Sequence, residues 1–128
     1  MSQQAASLKG SIEFDVSFVS ESEATGCMQI QDGIQNPFGT VHAGAMIWFA
    51  DVVATTLALQ GEHPTPGMKG FPLAITLNAN MLSNSREGAL HAKAVFVKKG
   101  RTVSTVRTTV SSDNGKILLD MTTTHIAS

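Results

Sequence analysis

Asp51 stands alone in an apolar run. Residues 43–50 read Ala-Gly-Ala-Met-Ile-Trp-Phe-Ala, and Val-Val-Ala-Thr-Thr-Leu-Ala-Leu follows the acid. An ionised carboxylate is rarely buried without a partner. Asp51 therefore has two readings. It is a structural acid satisfied by a backbone amide or a hydroxyl across the core. Or it is a general base or nucleophile in an apolar pocket, where desolvation favours reactivity. Thr55, one helical turn later, is placed to hydrogen-bond the carboxylate or a ligand.

His42 opens the same segment. It lies nine positions before Asp51, about two and a half helical turns. The two side chains point to different faces and do not make a dyad within one chain. His42 is either a loop-packing residue bonded to the preceding backbone or part of a site. The backbone amides of Ala43 and Gly44 carry more weight. Free N–H groups at a helix start, reinforced by the helix dipole, bind a developing oxyanion. Small side chains at 43, 44 and 45 let a carbonyl approach closely, although they also suit simple close packing. Asn36, in the Gly/Pro turn upstream, is an ordinary turn former or a donor that polarises a carbonyl or holds a water.

A helix must present these groups. Thr40 is the expected N-cap, and the helix is expected over about 41–59. Gly61 stops it, and residues 63–67, His-Pro-Thr-Pro-Gly, cannot continue it. Residues 61–71 form a loop with three Gly and two Pro, of a length that is often functional.

Strands surround the helix. Ile12, Phe14, Val16 and Phe18 alternate with polar residues, a period-two strand with one buried face. Residues 24–31 make a weaker second strand. After the loop, Leu73, Ile75, Leu77, Ala79 and Met81 alternate with smaller or polar residues. Residues 84–88 form a turn, and Leu90, Ala92, Ala94 and Phe96 mark the next strand. Residues 98–101 form a tight turn, with a Thr/Val-rich strand over 101–111. Asp113-Asn114-Gly115 is a strong hairpin signal, and the last strand covers 116–126. Four consecutive hairpin-linked strands imply one antiparallel sheet. A single long apolar helix is buried by one sheet only if the sheet wraps around it. The class is α+β: an antiparallel sheet of five to six strands around one long central helix, in a single domain over residues 1–128 with a polar lead-in at 1–10.

Composition excludes several roles. The chain of 128 residues holds 42% hydrophobic and 15% charged residues at a net charge of -1. That is globular and has no electrostatic footprint for nucleic acid. One Cys, Cys27, supports neither a disulfide framework nor a metal cluster. His63, His91 and His125 lack metal-ligand spacing, so no metal is assigned. The N-terminus has no signal-peptide core, and no apolar run approaches the roughly 20 residues of a membrane span. The expectation is a soluble, cytoplasmic protein. Arg86, Lys98, Lys99, Arg101 and Arg107 fall at or near strand turns, mostly as solvated residues, though some suit an anionic phosphate.

Asn36, Gly39, His42, Ala43, Gly44, Ala50 and Asp51 together trace Asn-x-x-Gly-x-x-His-Ala-Gly followed by Ala-Asp within the helix. This resembles the signature of the hotdog-fold acyl-CoA thioesterases, the phenylacetate-pathway type in particular, over essentially the whole chain. The resemblance implies a sheet wrapped around the helix and hydrolysis of an acyl-CoA thioester to free acid and CoA. It implies no cofactor, because coenzyme A is part of the substrate. It implies a homodimer at least, commonly a homotetramer, with active sites at the dimer interface. By position, Asp51 would be the catalytic carboxylate, supplied by the partner chain. The Ala43 amide would polarise the carbonyl, with Asn36 and His42 beside it. Gly44, Thr55, Gly100 and Arg101 are assigned to substrate binding.

Three features depart from the family pattern. Ala43 replaces the first Gly after the His. Leu73 and Ala74 stand where a Ser or Thr is usual, with Thr76 off register. The 61–71 loop is long and Pro-rich. A hotdog dehydratase or hydratase fits less well, since those order His and acid differently. A non-catalytic acyl- or CoA-binding hotdog protein is the alternative from another class.

Overall fold

The computed structural model describes residues 6–128. The first half of the expected lead-in lies outside the described residues, and residues 6–10 have no regular structure. Six strands and one long helix follow: β1 (Asp15–Ser20), β2 (Glu23–Gln29), α1 (Ala43–Ala58), β3 (Pro72–Met81), β4 (Ala89–Lys99), β5 (Val103–Ser112) and β6 (Ile117–Ala127), with a 3-10 turn at Asp32–Ile34. All strands belong to one antiparallel sheet of order β1-β2-β4-β5-β6-β3. The expected α+β architecture is present.

The order corrects one expectation. β3 does not form a hairpin with β4; it crosses the sheet to pair with β6, while β4 pairs with β2. The intervening turn is bound to distant partners instead. The amides of Leu82 and Ser83 both donate to the Leu118 carbonyl, and the Asn84 side chain bonds the backbone of Val41. The β5–β6 connection is the tight turn that Asp113-Asn114-Gly115 signals. Gly115 has φ +84°, a region that favours glycine, and the Ser112 amide closes the turn on the Lys116 carbonyl at 2.9 Å.

α1 buries Met46, Phe49, Ala50, Val53, Ala54 and Leu57, a stripe at helical spacing. They pack on Met28, Leu90, Ala94, Val106, Val110, Leu119 and Met121 from the sheet's inner face. Gly26 on β2 allows the close approach: a Cβ there would lie 2.7 Å from Val53 and 2.9 Å from Phe49. β1 begins at Asp15, later than the alternation suggested. Ile12 and Phe14 still pack on the core, and Phe14 sets its ring edge-on to Trp48 and Phe49 at 5.2 and 5.1 Å.

The helix is not enclosed all round. A single sheet covers one side, and on the other Trp48 is 48% exposed while Asp51, Val52 and Thr55 are half-buried. β3 forms one edge of the sheet, with Leu73, Ile75, Leu77 and Met81 all exposed. Leu77 and Met81 pair with the buried Thr123 and Leu119. They therefore sit on the helix side of the sheet, yet both remain exposed. Among the described residues, no helix is long and apolar enough to cross a membrane.

Candidate active site

The helix start rests on a tightly bonded loop. Asn36 accepts from the Phe38 and Thr40 amides through Oδ1, at 2.9 and 3.2 Å, and donates to the Thr40 hydroxyl at 2.7 Å. Its side chain builds the turn. Asn84 does for Val41 what a strand neighbour would: it accepts from the Val41 amide at 3.0 Å and donates to the Val41 carbonyl at 2.8 Å. Arg86 donates to the Phe38 carbonyl. Thr40 does not cap the helix, which begins only at Ala43; its hydroxyl bonds Asn36 instead.

His42 is the N-cap. Its Nδ1 accepts from the Gly44 amide at 3.1 Å, and its carbonyl accepts from the amides of Ala45 and Met46. A ring nitrogen that accepts leaves the proton on Nε2 of the neutral ring. The Gly44 amide is thereby committed to the cap. The Ala43 amide has no acceptor among the described residues, so of the two oxyanion donors suggested by the sequence it alone stays available. Asn36, His42, Gly44, Ala45 and Trp48 line one open cavity of about 790 Å³, together with residues 7–12.

Asp51 opens onto a different cavity, also about 790 Å³. Thr55, Val52, Leu59, Phe18, Phe71, Leu73 and Ala74 line it, with Glu62 and His63 from the 61–71 loop. The two cavities share no residue, as the spacing of His42 and Asp51 required. Asp51 is half-buried, and its Oδ1 is sheltered from solvent with no hydrogen-bond partner among the described residues. Burial pushes its carboxyl above the ordinary aspartate range, partly opposed by the His125 ring. Thr55 lines the same cavity but makes no bond to the carboxylate; Thr56 donates to the Val52 carbonyl at 2.7 Å.

Gly100 and Arg101 sit in the β4–β5 turn and line neither cavity. Gly100 leaves no room for a Cβ against the Val103 carbonyl; Arg101 is exposed. Lys99 donates to the Gln60 side chain at 2.7 Å, tying this turn to the helix C-terminus. Arg107 makes a two-pronged pair with Asp120 at 2.9 Å on the outer face.

Sequence reasoning assigns Glu62 no role and considers His63 and His125 only as metal ligands. Alternation in the last strand could have found His125, because Leu119, Met121, Thr123 and His125 share the inward face.

Residues 38–119 match the thioesterase superfamily. Among curated proteins, none matches the sequence significantly. Among solved structures, a thioesterase mutant from Staphylococcus aureus superimposes with a TM-score of 0.82 at 20% identity, over 91% of this chain and 94% of that one. A thioesterase from Haemophilus influenzae gives 0.79 at 18% identity, over 90% and 78%. A hypothetical thioesterase protein from Streptococcus pneumoniae, solved with coenzyme A, gives 0.78 at 14% identity, over 91% and 89%. These likenesses establish the shared fold, and with the sequence match over most of its length the chain belongs to the thioesterase superfamily.

Proposed function

We propose that the protein is an acyl-CoA thioesterase of the phenylacetate-pathway type, with Asp51 as its catalytic carboxylate. The observation that carries the reading is the sheltered, unpartnered Asp51 oxygen on the wall of an apolar cavity. A carboxylate held this way is poorly solvated and therefore reactive. The thioester carbonyl lies against the free Ala43 amide of a second copy. As the tetrahedral intermediate forms, charge grows on that oxygen and the amide stabilises it. Asp51 takes a proton from water as the water oxygen bonds to the carbonyl carbon. The C–S bond then breaks, the thiolate of CoA leaves and is protonated, and the free acid remains. Direct attack by Asp51, with hydrolysis of the resulting anhydride, gives the same products. No cofactor is required.

The second copy is part of the reading. β3 is a ten-residue edge strand with no charged residue, and four of its large apolar side chains are exposed. Pro72 and the bulge between Ala74 and Thr76 guard its first part, but no charge along Leu77–Met81 opposes pairing with another strand. A second chain pairing along β3 extends the sheet and covers the exposed side of α1. Leu73 and Ala74 of β3 also line the Asp51 cavity, so the same pairing completes the site. Two such dimers then form the homotetramer, and its place is the cytoplasm, where acyl-CoA is the substrate.

The test is thiol release from acetyl-, hexanoyl-, benzoyl- and phenylacetyl-CoA by the purified protein, read with a thiol reagent. The expected result is turnover of at least one ester that Asp51→Ala abolishes while fold and oligomeric state persist. Full activity in Asp51→Ala would sink the mechanism. The second reading, a non-catalytic acyl- or CoA-binding protein, is favoured by Ala43 in place of the usual Gly. Calorimetric binding of these esters without thiol release would establish it.

A further inference from the structure

We propose that Glu62 is a specificity-determining residue: held at the far end of the Asp51 cavity by the helix exit, it turns away acyl groups that end in an anion and leaves the cavity to uncharged ones. The inference rests on the reading of the protein as an acyl-CoA thioesterase with Asp51 as its reactive group, and adds to it the class of acyl group.

The helix exit is strained and firmly held. Gln60 has φ +52° and Gly61 φ +85°, and a non-glycine residue is uncommon in that region. Three side-chain bonds secure Gln60 there. Its Nε2 donates to the carbonyls of Leu57 and Glu21 at 2.8 and 3.0 Å, and its Oε1 accepts from Lys99 at 2.7 Å. Gly61 brings the chain against the Phe18 ring, which a Cβ there would approach to 3.5 Å. The Glu62 amide then donates to the Leu59 carbonyl at 3.1 Å. Two left-handed residues in succession thus turn the chain back, and Glu62 and His63 line the cavity. Strain of this kind persists where the surroundings over-determine it, and it clusters at ligand clamps and active sites.

The cavity sorts by charge as well as by polarity. Val16, Phe18, Val52, Leu59, Phe71 and Leu73 give it apolar walls that suit an acyl chain. Its carboxylates are Asp51 and Glu62, and among the described residues no Lys or Arg lines it. His63 is the one lining side chain able to carry positive charge. Lys99 is bonded to Gln60 and lies outside the lining. Glu62 has no ion-pair partner among the described residues. Leu59 follows Asp51 by eight positions, about 12 Å along the helix axis, and Glu62 stands at that end. An acyl chain whose carbonyl reacts beside Asp51 therefore extends toward Glu62. A terminal carboxylate there meets a like charge and also loses its water; a terminal methyl meets neither penalty. The same charges keep the CoA phosphates out, so the acyl end enters and the nucleotide stays outside. Selection of this kind works by a repulsive element.

Octanoyl-CoA and suberoyl-CoA test this, since they share chain length and differ only in ending on a methyl or a carboxylate. In the parent protein, kcat/KM for thiol release should favour octanoyl-CoA about a hundredfold. Glu62→Gln keeps the shape and removes the charge, and should narrow that preference about tenfold. The side chain is exposed, and screening by water and salt limits the effect. Glu62→Lys should narrow the preference further. Glu21→Gln removes a charge from the neighbouring β1–β2 turn, outside the cavity, and should leave the preference as it is. A parent that takes both esters equally overturns the proposal. So does a preference that neither Glu62 variant changes, or one that Glu21→Gln narrows as much. If the parent releases no thiol from octanoyl-CoA, calorimetric affinities for the pair decide the role of Glu62 by the same ratios, and absence of binding overturns it. The hydrolytic reading then stands or falls separately, on the shorter and aromatic esters.

Discussion

The two ends of the proposed chemistry are built in opposite ways. At the helix start nearly every polar group is matched. Asn36 is spent on its own turn, Asn84 on Val41, and His42 on the Gly44 amide. One amide, Ala43, is left over. In the middle of the same helix, Asp51 has the reverse setting, with apolar neighbours and an oxygen lacking any donor. The first region stores order: its hydrogen bonds hold an amide in place so that no reorganisation is needed when charge develops. The second stores reactivity, because a poorly solvated carboxylate gains by sharing in a reaction. Neither is sufficient alone, and within one chain they open on separate cavities.

The largest effect is expected at the reactive end. Asp51→Ala should reduce thioester turnover by on the order of a thousandfold or more, with an unchanged circular-dichroism spectrum. The next is expected where the two ends must meet. Leu77→Asp puts a charge on the uncovered inner side of β3, where a partner chain would bury it. It should convert the proposed dimer to monomer in analytical ultracentrifugation, and activity should fall with the dimer fraction. A monomer with full activity would show that one chain makes the whole site, and the contrast between the two regions would lose its meaning for catalysis.

The contrast was only half legible in the sequence. Asp51 announced itself, since a lone charge in an apolar helix needs no structure to be noticed. Helix and strands followed from periodicity. Non-local pairing left no such mark. The turn at 84–88 has the composition of a hairpin, yet Asn84 is committed to Val41, far away in the chain. Thr40 is by type the better cap, but the turn holds its carbonyl on the Asn36 amide and the helix starts later, so His42 caps. The burial of His125 follows only from the alternation of the last strand, because β6 reaches the helix only once the sheet has curled.

Breaking the ordered end should cost stability. Asn84→Ala removes both bonds to Val41 and leaves its partly buried amide and carbonyl unmatched. A loss of about 2 kcal/mol is expected in urea unfolding. His42→Ala deletes the cap and should cost about 1 kcal/mol. It also frees the Gly44 amide, so a smaller fall in kcat/KM than in stability would sharpen the view that the ordered end works chiefly through Ala43.

The smallest effect has the opposite sign. The folded-state carboxyl of Asp51 sits above its unfolded value through burial. Between those two values the native state binds more protons, so stability falls as pH rises through the window. Above the folded value the full penalty for burying the charge persists. Asp51→Asn removes the charge while keeping the shape, so at neutral pH it should be more stable than the parent. The advantage should shrink as pH falls through the folded value, and vanish below the ordinary aspartate range, where both states of the parent are protonated. Asp51 is only half-buried, and solvent screening keeps the gain modest. Urea midpoints of both proteins from pH 3 to 8 read it directly. A variant less stable than its parent at neutral pH would mean that Asp51 is a satisfied structural acid, and that the start and the middle of the helix are built alike after all.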